Sequence, residues 1–254
     1  MIICKSPAEM ERMRAANVLV ADVLVELRGL VRPGVTTAEL DAVAEDRVRR
    51  AGAVPAFKGY HGFPATLCTS VNEEVIHGIP GPRALRAGDV VSIDMGVVLD
   101  GFYGDAAITV PVGAISGEAA VLLRVTEEAL YLGIEQARVG ARVSDIGYVV
   151  QRHVEAHGFS VVREFVGHGV GMSRHEEPQV PNYGPPGRGP RLAEGMTLAI
   201  EPMVAMGKAA VKVLGDGWTA VTKDRSLAAH FEHTVGITGA GPVILTTPSG
   251  GRPA

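Results

Sequence analysis

Cysteine is nearly absent from this 254-residue chain, with Cys4 and Cys68 the only two. They are too few for the disulfide framework of a secreted scaffold, and neither stands in a Cys-x-x-Cys pair, so any metal must be held by histidine and carboxylate side chains. No uninterrupted apolar run approaches membrane-spanning length, and the start, Met-Ile-Ile-Cys-Lys, turns polar at once, without the apolar region of a signal peptide. Basic clusters are missing as well. Lys plus Arg total 24 against 28 for Asp plus Glu, which favours neither nucleic acid nor an anionic membrane as a partner. What remains is 46% hydrophobic and 20% charged, enough to bury a substantial core, and the expectation is a cytoplasmic globular protein of one domain or two fused halves.

Ser6-Pro7-Ala8-Glu9 combines an N-cap, a proline at the first helical position and the glutamate of a capping box, which predicts a long helix to about Leu30. Arg32-Pro33-Gly34 stops it, and Thr36 to Glu39 repeats the capping-box spacing before a second helix ending near Gly52. Asp89 to Leu99, the Asp100-Gly101 turn and Phe102 to Val110 read as a hairpin with a tight primed turn. Helices return at about Gly117 to Ala137 and Ser144 to Ala156. Pro181 to Arg191 reads as a loop and Thr246 to Ala254 as a flexible tail.

Laying Gly34–Gly52 over Gly140–Gly158, an offset of 106, matches both glycines, Val43 with Val149 and Val48 with Val154. The same order of helix, loop, helix and strands accompanies each copy, which suggests an internal duplication. The expectation is one catalytic domain over residues 1–245, built of halves at about 1–112 and 113–240, whose helices cover one face of a curved antiparallel sheet and whose other face forms a cleft.

Asp94 and Asp105 lie on the two strands of the hairpin, where they can be cross-strand neighbours. Like charges that close need a cation or a shared proton. His168 is flanked by glycines in Gly-His-Gly-Val-Gly, and His175 follows seven positions on. Glu201 in Ala-Ile-Glu-Pro and Glu232 in His-Phe-Glu-His follow apolar, strand-like residues, where an unpaired carboxylate is expensive to bury. Two aspartates, two glutamates and a histidine make a hard, mostly oxygen ligand set suited to a pair of divalent ions.

Asp94, Asp105, His168, Glu201 and Glu232 resemble the five metal ligands of the methionine aminopeptidase family. The phrases HGIPG, IDMGVVLDGFYGD, GHGVG, HEEPQVPNY, IEPMV and FEHT resemble it in the same order over about Ser6 to Thr238. The resemblance implies the α+β, duplicated pita-bread fold of creatinase and the aminopeptidases, in its short bacterial type I form. It also implies two divalent metal ions of cobalt, manganese, iron or zinc, and removal of the initiator methionine from nascent polypeptides with a small second residue preferred. By the same resemblance Glu201 is both a ligand and the proton shuttle, His175 hydrogen-bonds the substrate carbonyl or its oxyanion, and His77 contacts the scissile amide. A free substrate amine completing a metal's shell would restrict action to the chain end. Tyr60, Phe63, Cys68 and Trp218 match the methionine pocket, with Phe57 beside them. Arg174 departs from the pattern, standing where relatives place a large apolar residue, and is expected to swing to the rim.

A monomer with at most a transient ribosome contact fits this activity. The nearest rival is an X-prolyl aminopeptidase or dipeptidase of the same fold, although a first helix at about residue 7 leaves no room for the extra N-terminal domain those proteins carry. A non-catalytic binding module is the rival of another class, against which stand the intact ligands and the missing basic patch.

Overall fold

The computed structural model describes residues 1–251. Helix α1 spans Pro7–Leu30, and its start is fixed as the sequence predicts. The Ser6 hydroxyl accepts from the Glu9 amide, while the Glu9 carboxylate accepts from the Ser6 amide at 2.8 Å. Thr36 and Glu39 repeat this arrangement at the head of α2, Thr37–Arg50. Helices α3, Gly117–Gln136, and α4, Val143–Ala156, follow. Both limits of α4 stand 106 positions after those of α2, the offset at which the two sequence segments align. At Arg142 the box is half kept, with the Asp145 carboxylate accepting from the Arg142 amide at 2.7 Å. We read the halves as one duplicated unit.

Among the described residues a nine-stranded antiparallel sheet runs behind the helices. Its centre is the hairpin of Val90–Leu99 and Phe102–Pro111, turned by Asp100 (φ 49°) and Gly101 (φ 80°), the pair of positive φ values a primed turn requires. The strand Glu232–Thr238 pairs with Phe102–Pro111 on one side and Thr197–Ile200 on the other, and Gly167–Gly169 continues the sheet.

Register decides which face each residue takes, because side chains alternate along a strand. Asp94 pairs with Ala107, and Ala107 with Glu232. Ala199 pairs with both Thr234 and His168. Asp105, two residues from Ala107, and Glu201, two from Ala199, therefore share the face of Asp94, Glu232 and His168. The opposite parity, including Ile93, Met95, Ile108, Leu198, Ile200 and Val235, joins the buried residues of all four helices in one core. Helix α1 lies so close to the sheet that a Cβ on Gly104 would stand 2.7 Å from the Ala16 carbonyl carbon.

The chain end expected as a tail starts packed. Thr246 is buried and its hydroxyl lies 2.8 Å from His233 Nδ1, while the Ser249 amide donates to Asp22 at 2.8 Å. Residues 252–254 of that expected tail lie outside the described residues.

Candidate metal centre

The two aspartates sit diagonally rather than directly opposite, since Asp105 pairs with Gly96 while Asp94 pairs with Ala107. Ala107, between Asp94 and Glu232, and Ala199, beside His168, put small side chains on this face and leave room above the sheet. All five proposed ligands line one cavity of about 430 Å³, together with His77, Arg174 and His175.

Donor atoms fall into two overlapping groups. One atom each from Asp105, His168 and Glu232 lie within 4.8 Å of one another, and so do one each from Glu201, His230 and Glu232. Asp94, Asp105, Glu201 and Glu232 are all buried. Among the described residues Asp94 Oδ1, Asp105 Oδ1 and Glu232 Oε1 are buried without a hydrogen-bond partner, an arrangement four neighbouring carboxylates do not hold for themselves. Burial is the main cause pushing Asp94 and Glu201 up to about 8, Asp105 to about 7 and Glu232 well above the usual carboxylate range. Asp105 adds to the effect on Asp94, while the Arg174 charge acts against it on Glu201. Orphaned oxygens and carboxylates that resist ionising fit divalent cations, whose charge would reverse both effects.

Histidine chemistry is set by neighbours. His168 Nδ1 lies 2.9 Å from the Gly169 carbonyl, which fixes the proton there and turns the free Nε2 lone pair toward Glu201 Oε1 at 3.5 Å. Burial lowers its pKa to about 3, so the ring is neutral and able to ligate. The glycines around it allow close approach of neighbouring strands: a Cβ on Gly167 would stand 2.3 Å from the Ala199 carbonyl oxygen, and one on Gly169 2.4 Å from that of Glu177. His175 packs edge-on against His168, with ring centres 4.4 Å apart, and its Nδ1 lies 3.0 Å from the Tyr60 hydroxyl. His77, held at φ 61°, abuts Phe165 and Trp218. Burial lowers both His77 and His175 to about 4.

Phe63, Cys68 and Phe57 form an apolar cluster with Trp218 at its edge, and Cys68 pairs with Asp94 across the sheet. Burial raises the Cys68 thiol pKa, so the thiol stays protonated.

Arg174 corrects the sequence expectation, because its side chain turns inward and is 11% exposed. Its guanidinium lies 3.8 Å from the Phe57 ring centre and 5.1 Å from that of Tyr60, with Nε 3.9 Å from Asp105 Oδ2. Two aromatic faces and a nearby buried carboxylate outweigh hydration at the rim.

Two features escape the sequence reading. His230 is buried, with Nε2 3.6 Å from Glu201 Oε2; its place two residues before Glu232 is the one sequence signal, and it does not suffice, because His230 ends a strand of another sheet. Lys5 forms a buried ion pair with Glu176, whose other oxygen accepts from the Met172 and Ser173 amides and so fixes the loop that carries His175. A Lys5→Ala variant leaves that carboxylate buried and uncompensated, which is expected to cost about 3–5 kcal/mol of stability. A melting temperature within a degree or so of the parent would count against this role.

A cluster of buried carboxylates and histidines on the open face of a curved antiparallel sheet is the kind of site a metallopeptidase uses. The model of metallopeptidase family M24 matches residues 11–239, and the chain belongs to that family. Methionine aminopeptidase 1 of Bacillus subtilis is 54% identical over 246 residues, covering 97% of this chain and 99% of the relative. The methionine aminopeptidase of Clostridium perfringens is 56% identical over the same span and the same shares. Among solved structures, methionine aminopeptidase from Rickettsia prowazekii superposes with a TM-score of 0.96 at 42% identity, covering 97% of this chain and all of the other. Prolidase from Pyrococcus horikoshii shares the fold at 23% identity and a TM-score of 0.79, with 65% of its length covered.

Proposed function

We propose that this chain removes the N-terminal methionine from new polypeptides, acting as a monomer on chains with a small second residue. The observation that carries the reading is the convergence of four buried carboxylates and His168 on one cavity, in a chain more than half identical to named methionine aminopeptidases. Asp94, Asp105, His168, Glu201 and Glu232 would hold two divalent ions, and bound ions polarise a carbonyl and lower the pKa of water.

The chain's own groups do the rest. Glu201 takes the proton of the attacking water and passes it to the leaving nitrogen. With the Tyr60 hydroxyl donating to His175 Nδ1, the imidazole proton sits on Nε2 and donates to the carbonyl oxygen as it gains charge. His77, neutral at working pH, contacts the scissile amide. A cavity of about 430 Å³ has room for a first residue and the start of the next, and a free amine completing a metal's shell would confine cleavage to a chain end. Initiator methionines are exposed in the cytoplasm, at or near the ribosome, and the activity belongs there. Among the described residues no helix is long and apolar enough to cross a membrane.

Methionine release from Met-Ala-Ser, beside cleavage of an Xaa-Pro peptide, tests the proposal in metal-stripped protein with and without manganese or cobalt. Metal-dependent release from the methionine peptide alone is expected. Cleavage only before proline assigns the X-prolyl reaction, and silence on both with metal bound assigns a binding role.

A further inference from the structure

Arg174 is an anomaly in a site built to attract cations. A guanidinium carries five N–H donors. Among the described residues Nε of Arg174 is buried without a partner, and Asp105 Oδ2, the carboxylate oxygen beside it, lies beyond hydrogen-bond reach at 3.9 Å. The plane is held by its faces instead, over Phe57 and Tyr60. Arg174 lines the cavity, whereas Phe57, Phe63 and Cys68 do not. A first side chain entering beside the ligands thus meets a largely buried guanidinium where the apolar cluster would otherwise form the wall.

Such a group discriminates by its unmet donors. A hydrocarbon end leaves them unpaired, a thioether sulfur is a weak acceptor, and an oxygen at the same reach makes a charge-assisted hydrogen bond. We propose that Arg174 sets first-residue specificity, favouring N-terminal side chains of methionine length that end in an acceptor oxygen, as in methionine sulfoxide or glutamine, over the isosteric hydrocarbon norleucine. The inference rests on the aminopeptidase reading above. The bond broken and the water consumed are those of the parent reaction.

The test measures kcat/KM of the metal-loaded protein on X-Ala-Ser peptides with X as methionine, methionine sulfoxide, glutamine or norleucine, for the parent, Arg174→Met and Arg174→Lys. The parent is expected to prefer the sulfoxide over norleucine by about 10-fold or more, the range of one charge-assisted hydrogen bond. Arg174→Met should reverse that order, and Arg174→Lys should keep part of it. A sulfoxide-to-norleucine ratio of one or below in the parent, or the same ratio in the parent and Arg174→Met, overturns the assignment. Binding of the free amino acids to the metal-loaded protein, followed by calorimetry, reads the same ranking without turnover. If no methionine peptide is cleaved, the parent reading fails by itself and the binding series still decides the role of Arg174.

Discussion

Glu201→Gln is expected to lower kcat on Met-Ala-Ser by about 10²–10⁴-fold, the range of a lost general acid–base group. The substitution keeps shape and volume while removing the charge and the capacity to accept a proton. Glu201 is buried, and its carboxylate lies beside both His168 and His230. Because Glu201 is one of four carboxylates crowding the cavity, the metal-free variant should melt no lower than the metal-free parent. Bound metal, read by elemental analysis, should fall. A variant that keeps more than about a tenth of parental kcat with its metal content intact would sink the shuttle role.

Metal removal has the second large effect, and it depends on pH. Asp94, Asp105 and Glu201 have folded-state pKa values raised from the ordinary carboxylate range to about 8, about 7 and about 8. Such groups hold protons in the folded chain that the unfolded chain has released, so the stability they contribute is present at low pH and lost as pH rises through those values. The buried histidines act at the other end. His77, His168 and His175 are lowered to about 4, 3 and 4, so their effect is confined to pH below the ordinary histidine value, about 6.5. Between about pH 6.5 and 8 the carboxylates alone decide the slope, and the chelated protein is expected to melt progressively lower. Manganese or cobalt, which displaces those protons, should raise the melting temperature most at the alkaline end. An excess of about 100 times Kd corresponds to about 2.7 kcal/mol. Equal melting curves with and without metal at about pH 8 would remove the metal-centre reading.

The part of the molecule legible in the sequence is the part written in local chemistry. The two capping boxes at Ser6 and Thr36, the Asp100-Gly101 turn and the apolar periodicity each act within a few residues, and the structure places α1, α2 and the hairpin where those signals put them. Ligand candidates were legible for a related reason. A carboxylate in an apolar strand costs so much to bury that Glu201 and Glu232 announce a partner without any coordinates.

Position across the sheet was not legible, because register depends on which strand lies beside which. The diagonal placement of Asp94 and Asp105 follows from Gly96 and Ala107 facing them. His230 ends a short strand of another sheet, paired with Met203, and only the fold brings its Nε2 to 3.6 Å from Glu201 Oε2. Lys5 and Glu176 are 171 positions apart, and no local rule joins them.

By itself the sequence determined the helices, the turn, the offset of 106 between α2 and α4 and the chemical nature of the candidate ligands, since each is set by residues near one another in the chain. Only the tertiary structure decided that four carboxylates share one face, that His230 joins them, and that Arg174 turns inward. Those outcomes depend on charges and aromatic rings brought together from distant segments, where burial strips away water and makes each neighbour count.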